Sequence, residues 1–359
     1  MNYLREVFGK KQIILAITGF VSLLLFGLLT LICVRTSNKL TSQHFADRWC
    51  TDGSFAQVSA YMSELSGFKE ENLEMIVPFL NNRLQTDSIV PKNENARQCI
   101  VAYCAEGEAE VSSGKNTVSV KAYGVGGDFF MFHPFDIVYG NYFDGADLMD
   151  DMVVIDTTTA WNLFGSPNVV GKVIKVGDRE HVISAVVERE TGRLNDLAGN
   201  NVATIYVSLN SLKEYGTFTY INTIEALLPN PITNYAINIL TECLELEEER
   251  VSFVENSGRF HWNKLVINAK NFGTRGMNNK GLVYPYWENV ARGTEDILTP
   301  VCLLAILFLA YPALLFIILL FRMWKKRTIH KKDVWNFIQD RIEDYREERR
   351  KRLEDGEFD

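Results

Sequence analysis

Two stretches without a charged residue stand out from an otherwise mixed chain: 13–34, IILAITGFVSLLLFGLLTLICV, and 298–321, LTPVCLLAILFLAYPALLFIILLF. A bilayer core needs about 20 apolar residues at about 1.5 Å rise each, so both runs predict membrane-spanning helices. For the first, a cleaved signal peptide is the competing reading, because Arg5, Lys10 and Lys11 precede it. The run is longer than the usual signal-peptide core of about 7–15 residues. No small-x-small site follows, Arg35 arrives at once, and bulky Ile32 before Cys33 does not fit a lipoprotein cysteine. A retained anchor is therefore expected over 12–34. Thr18 and Ser22 form a small-x-x-x-small pair on it, suited to close helix packing. Pro312 lies deep in the second run, where it removes one intrahelical hydrogen bond and predicts a kink.

Between these runs the pattern alternates between periods of two and of three to four. The stretch 57–62 reads as a strand with Val58, Ala60 and Met62 on one face. Over 70–84, Leu73, Ile76, Val77, Leu80 and Leu84 form one apolar helical stripe. Residues 99–106 and 117–125 read as strands joined through the turn at 113–116, a hairpin signal. Strand 152–155 is followed by a helix that Asp156 or Thr157 caps, with Ala160, Leu163 and Phe164 facing inward and Gly165 ending it. Residues 173–176 and 181–187 alternate around Gly177-Asp178 as a second hairpin. Strands at 202–207, 220–228 and 251–254 and helices at 209–215, 232–246 and 260–269 make a second α/β unit, packed with the first as one layered domain or two subdomains. The polar stretches 191–201 and 271–289 read as loops, the latter returning the chain to the bilayer.

The order within 140–188 carries a resemblance. A glycine and an aromatic (Gly140, Phe143) precede an acidic loop. A VVID strand (Val154, Asp156) leads into a helix ending Ala160-x-x-Leu163-Phe164-Gly165. An Asn-x-Val-Gly-Lys turn (Val170, Gly171, Lys172) then precedes a hairpin through Gly177 and Val182 to Val187. This order resembles the MacB-type periplasmic core domain of membrane subunits in bacterial ABC systems of the MacB and FtsX type. These residues are mostly fold determinants, so the resemblance implies architecture more directly than activity. It implies an α+β, bitopic-hairpin membrane protein: a cytoplasmic N-terminus (1–11), a first span (12–34), a large extracytoplasmic MacB-like domain (35–297), a second span (298–321) and a cytoplasmic tail (322–359). Family permeases usually have four membrane helices, whereas one apolar run follows the exported domain here. The resemblance further implies a non-catalytic, permease-like subunit that couples a cytosolic ATPase to the exported domain, alone or beside a sister permease. A membrane-anchored sensor or scaffold, binding an extracytoplasmic ligand or protein, and an anchored exported enzyme are the other classes.

Charge agrees with this arrangement. Residues 1–11 and 322–359 each carry a net +2, leaving −12 on the residues between, out of −8 overall. Arg322, Lys325, Lys326, Arg327, Lys331 and Lys332 follow the second run, and Glu295 and Asp296 precede it. By the positive-inside rule both termini are expected in the cytoplasm of a bacterial cell. An acidic exported segment also argues against nucleic acid as a partner.

Catalytic and ligand motifs are sparse. The histidines at 44, 133, 181, 261 and 330 have no metal-ligand spacing, and there is no Cys-x-x-Cys or Gly-x-Ser-x-Gly. Gly124-Val125-Gly126-Gly127-Asp128 lacks the Gly-Lys-Ser/Thr ending of a phosphate loop and reads as a bend. The acidic clusters Asp147, Asp150, Asp151 and Glu247, Glu248, Glu249 read as solvated loops, since calcium needs six or more converging oxygens. No cofactor and no metal are expected. Cys50, Cys99, Cys104 and Cys243 allow three disulfide pairings or free thiols, but Cys99 and Cys104 point to opposite faces of one strand and do not pair with each other. In the tail, Trp335, Ile338, Ile342 and Tyr345 repeat at three, four and three on a helix from about 332 to 352. This apolar seam is too short to stand alone and is assigned to partner docking, with the membrane surface or self-packing as the alternative.

Overall fold

The computed structural model describes residues 10–354 apart from 92, 94, 95, 144–149, 219, 248 and 272–281. The chain divides into two compact units, 32–302 and, for the membrane helices, 1–31 with 303–359. In chain order the helices are α1 (Lys10–Ser37), α2 (Phe45–Trp49), α3 (Leu73–Thr86), α4 (Phe129–Phe132), α5 (Thr157–Phe164), α6 (Arg193–Leu197), α7 (Leu209–Tyr215), α8 (Tyr235–Leu244), α9 (Trp262–Asn268) and α10 (Tyr286–Glu354). The strands are β1 (Phe55–Met62), β2 (Ile100–Ser113), β3 (Asn116–Gly127), β4 (Asp136–Gly140), β5 (Met152–Asp156), β6 (Val173–Val176), β7 (Arg179–Glu188), β8 (Thr204–Ser208), β9 (Thr217–Phe218), β10 (Thr223–Pro229) and β11 (Val251–Glu255).

Among the described residues eleven strands join one sheet, in the order β11-β1-β10-β2-β3-β8-β5-β7-β4, with β6 bridging β2 and β7 and β9 pairing β2. The pairs β3·β8 and β5·β7 are parallel and the others antiparallel. Alternation along the strands sends side chains to two faces, and both are buried. On one face, Ala56, Val58, Ala60 and Met62 of β1 and Ala105, Ala109 and Val111 of β2 pack under α3, α5, α7 and α8. Each of these helices presents the apolar stripe that its spacing predicts, such as Ile76, Leu80 and Leu84 on α3 and Ile239 and Leu240 on α8. The opposite face carries Ile100, Ala102 and Cys104 of β2 with an aromatic cluster of Tyr123, Phe129, Phe132 and Tyr206. Tyr286, Trp287 and Val290 from the first turns of α10 close that cluster. Trp287 sits 5.7 Å from Tyr123 and 5.9 Å from Phe129, and Tyr123 stacks on Tyr206 at 5.4 Å.

Several sequence expectations change in detail. The return loop expected over 271–289 gives way to helix from Tyr286, because Tyr286 and Trp287 are apolar anchors for the sheet rather than linker residues. Its segment 272–281 lies outside the described residues. The strand expected to end at 106 continues to Ser113, since residues 107–113 pair fully with β3. The glycines at 124, 126 and 127 lie in strand β3, not in a bend. A Cβ on Gly126 would stand 2.2 Å from the Tyr103 ring, so its bareness accommodates that ring. The loop at 191–201 contains the short helix α6. Cys99 packs on the helical face and Cys104 on the aromatic face, as alternation requires, and all six thiols are free.

In the membrane unit, both apolar runs are helical and long and apolar enough to cross a bilayer. Thr18 Oγ1 lies 2.8 Å from Tyr311 Oη, and Ser22 Oγ donates to the Phe308 carbonyl at 2.7 Å. The small-residue pair thus lies in the contact between the two helices, with Gly19 between them facing Leu315. α10 is continuous through Pro312 and into the tail.

Asp156 illustrates how local rules build the sheet's helical cover. Its Oδ1 accepts the Thr159 N–H at 2.7 Å, capping α5, while the carboxyl itself is buried. Burial raises its pKa above the usual 3.8, although Thr159 and Arg189 oppose the shift. A raised carboxyl pKa adds stability below the unfolded value that is lost as pH climbs through the folded one. Asp156→Ala is expected to lose about 1–2 kcal/mol in denaturant melts, as for other N-caps. Asp156→Asn keeps the acceptor without the charge, so it should melt at or above the native chain at pH 7, with the difference shrinking as the buffer is acidified towards pH 4.

Candidate functional site

A run of buried polar side chains crosses the aromatic side of the sheet. On β1 the residues that alternate with the apolar set are Gln57, Ser59 and Tyr61, and all three are fully buried. Buried polar groups need partners, and each finds one. Gln57 Oε1 accepts the Phe45 N–H at 3.0 Å and its Nε2 donates to the Ser42 carbonyl at 2.7 Å, fixing the segment that follows α1 to the sheet. Ser59 Oγ lies 2.9 Å from Glu225 Oε1 and 3.2 Å from Asn256 Oδ1. The second oxygen of Glu225 is paired with buried His133, whose ring also lies 4.4 Å from Trp287.

From Asn256 the network continues into a cluster of charges. Asn256 Nδ2 donates to Gln43 Oε1 at 3.1 Å, and Arg259 Nη1 donates to the same oxygen at 2.7 Å. Arg259 is 3% exposed. Its guanidinium holds Glu288 through two bonds of 2.8 and 3.2 Å and Glu295 through Nε at 3.0 Å. Glu288 and Glu295 are seven residues apart on α10, two turns along one helical face. Arg292, one turn from Glu288, donates to it at 2.7 Å and lies 3.7 Å over the Tyr284 ring. Tyr61 Oη donates to Glu288 at 3.3 Å.

The electrostatics follow from this geometry. Burial alone would raise Glu288, but Arg259 and Arg292 hold its pKa below the ordinary 4.5. Burial alone would lower Arg259, but Glu288 and Glu295 hold it above its usual value. Burial together with Glu288 and Glu225 pushes the Tyr61 hydroxyl well up, so it remains a donor. Glu288, Arg259 and Arg292 therefore stay ionised. The arrangement ties the segment after α1, strands β1 and β10, the turn after β11 and the start of α10 into one joint.

Among the described residues no group of three or more His, Cys, Asp and Glu is placed to hold a metal ion. Asp150 accepts from Asn210 at 2.9 Å, and Glu247 pairs with Arg250 at 2.9 Å. Asp147 and Glu248 lie outside the described residues.

A family model described as the MacB-like periplasmic core domain matches residues 34–237, more than half of the chain. The chain belongs to this family. Among solved structures it is similar to the extracellular domain of the noncanonic ABC-type transporter YknZ from Gram-positive bacteria, at 13% identity over 55% of this chain and 99% of that one, with a TM-score of 0.37. It is also similar to the periplasmic region of MacB from Actinobacillus actinomycetemcomitans, at 14% identity over 61% and 94% with a TM-score of 0.40. A domain of a putative permease protein from Porphyromonas gingivalis gives 13%, 56%, 89% and 0.33. No curated protein matches the chain.

The MacB-like motif residues are spread through the sheet and its turns and do not converge on one site. Gly140 ends β4 at φ +82°, where a Cβ would stand 2.1 Å from the Ser184 carbonyl oxygen. Leu163 of α5 is buried in the core beneath the helix, and Phe164 beside it carries the Lys172 ammonium 4.7 Å over its ring. Gly165 closes α5 with an N–H bond to Trp161. Gly171 donates to the Ile183 carbonyl and Gly177 to that of Glu110, tying the hairpin to β2. On the tail, Trp335, Ile338, Ile342 and Tyr345 are all exposed.

Sequence reasoning missed Arg259, Glu288, Arg292 and Glu295, which lie outside the family match. A signal was present in the Glu288-x-x-x-Arg292 spacing and in Glu295 two turns on. In the sequence Glu295 enters only as one of the two acids that precede the second apolar run.

Removing one member of a buried ion cluster costs about 3–5 kcal/mol. Arg259→Gln is expected to lose stability on that order in urea melts of the full chain in detergent. A depressed Glu288 pKa adds stability above the unfolded value of about 4.5 that is lost as pH falls. Without Arg259 that contribution shrinks, so the gap between native and variant chains should narrow from pH 7 to pH 4. A gap that stays constant would remove Glu288 from the account.

Proposed function

We propose that this MacB-like protein is a non-catalytic, permease-like membrane subunit of an ABC transport system, coupling a cytosolic ATPase to its exported domain. The observation that carries the reading is that one helix, α10, supplies both the buried charges Glu288, Arg292 and Glu295 and the exposed apolar seam Trp335, Ile338, Ile342 and Tyr345. An ATPase or sister permease bound to the seam would act on the same element that Arg259 grips. The family's general association with ABC systems supports the partner class, and the basic residues after the second apolar run support placing both termini in the cytoplasm.

The test is purification of the full chain in mild detergent with its neighbours. An ATP-hydrolysing subunit of the ABC class is expected to remain bound. Trp335→Ala with Ile338→Ala should reduce its recovery on the order of tenfold or more, since truncating two anchoring side chains removes at least about 2 kcal/mol. Equal recovery with the double variant would overturn docking on the seam. Recovery of a kinase or transcriptional regulator in place of the ATPase would favour a membrane-anchored sensor.

A further inference from the structure

We propose that α9 is an interfacial helix that inserts Trp262 and Ile267 into the outer face of the lipid bilayer. The argument starts from what α9 packs against. Its buried residue Leu265 shares a small cluster with Leu298 and Cys302 of α10, joined by Cys33 of α1 and by Phe260. Leu298 opens the second uncharged run, Cys302 lies four residues further along it, and Cys33 is the penultimate residue of the first. At about 1.5 Å per residue, Cys302 is about 6 Å inside the apolar run. A helix whose Leu265 is buried with Leu298 and Cys302, with Cys33 packed against the same cluster, is held at the ends of both apolar runs.

What α9 turns outward fits that depth. Trp262 is 69% exposed and Ile267 is 55% exposed, and Ile297, beside Leu298 on α10, is 51% exposed. In water these would be isolated apolar groups. At a headgroup boundary an indole has its preferred setting, apolar body in the acyl region and N–H towards water. Lys264 and Lys270 are exposed on and just beyond the same helix, with stems long enough to reach lipid phosphates while the backbone lies in the interface. A protein partner on this face would have to displace lipid from the ends of both spans, so the bilayer is the favoured occupant. The inference rests on the two runs crossing a membrane, not on an ATPase partner.

The experiment reconstitutes the full chain in nanodiscs of phosphatidylcholine and phosphatidylglycerol, with and without bromine on the acyl chains, and compares the native protein with Trp262→Phe. The difference in emission between them belongs to Trp262. It should be quenched by brominated lipid and protected from aqueous iodide. Difference emission that iodide quenches and brominated lipid does not would overturn the proposal. Should Trp262→Phe not yield monodisperse protein, Ile267→Trp supplies the readout: the added emission should be quenched by brominated lipid, and its insensitivity would overturn the assignment equally. Neither result depends on which protein the tail binds.

Discussion

Burial of the Arg259 guanidinium is the constraint on which the rest of the exported unit depends. An ion withdrawn from water costs several kcal/mol unless its charge and donors are all answered. Here most of the answer comes from one helix, through Glu288 and Glu295, with Gln43 taking a fourth bond. Apolar contacts alone would tolerate a slip of α10 along the sheet, because one aromatic surface resembles the next. The fork of a guanidinium on two carboxylates does not tolerate it. Arg259 therefore sets the register in which Tyr286 and Trp287 meet Tyr123, Phe129 and His133.

The two faces of the sheet divide the work. The helical face is an ordinary amphipathic packing problem, solved by stripes on α3, α5, α7 and α8. The other face combines aromatic rings with a polar relay from His133 through Glu225, Ser59, Asn256 and Gln43 to Arg259. Such a relay is intolerant of partial satisfaction, so a change at one member is felt at the next. The MacB-like motif itself contributes caps, turns and close approaches, which position the sheet.

Most of the helical face was legible from the sequence because period 3.6 and period 2 report one-sided burial directly. Asp156 as a cap and Gly165 as a helix end were equally legible, since each acts on its own neighbours. The polar face was not. Gln57 and Ser59 alternate with Val58 and Ala60 and so look like a solvated strand edge. Their burial depends on α10, which arrives more than 200 residues later. Arg259 and Glu288 look like surface residues for the same reason: a charge pairs across sequence distance without leaving a period. The end of the strand at 113 was missed because Glu108 and Glu110 lower its apolar content, while the pairing that fixes it is backbone.

The register of β1 also sets the order of events while the chain is being made. Phe55 pairs with Pro229, 174 residues downstream, and Met62 with Val251. At synthesis rates of about 5–20 residues per second, β1 waits roughly 10–35 s beyond the membrane with neither neighbour available. During that interval α1 is already anchored and two strand edges stand open, the state in which a chain most needs shielding from its copies. The wait ends when β10 and β11 emerge, and the aromatic face closes later still, when Tyr286 and Trp287 follow immediately before the second apolar run. Completion of the exported domain and delivery of its second anchor are thus one step of biogenesis rather than two.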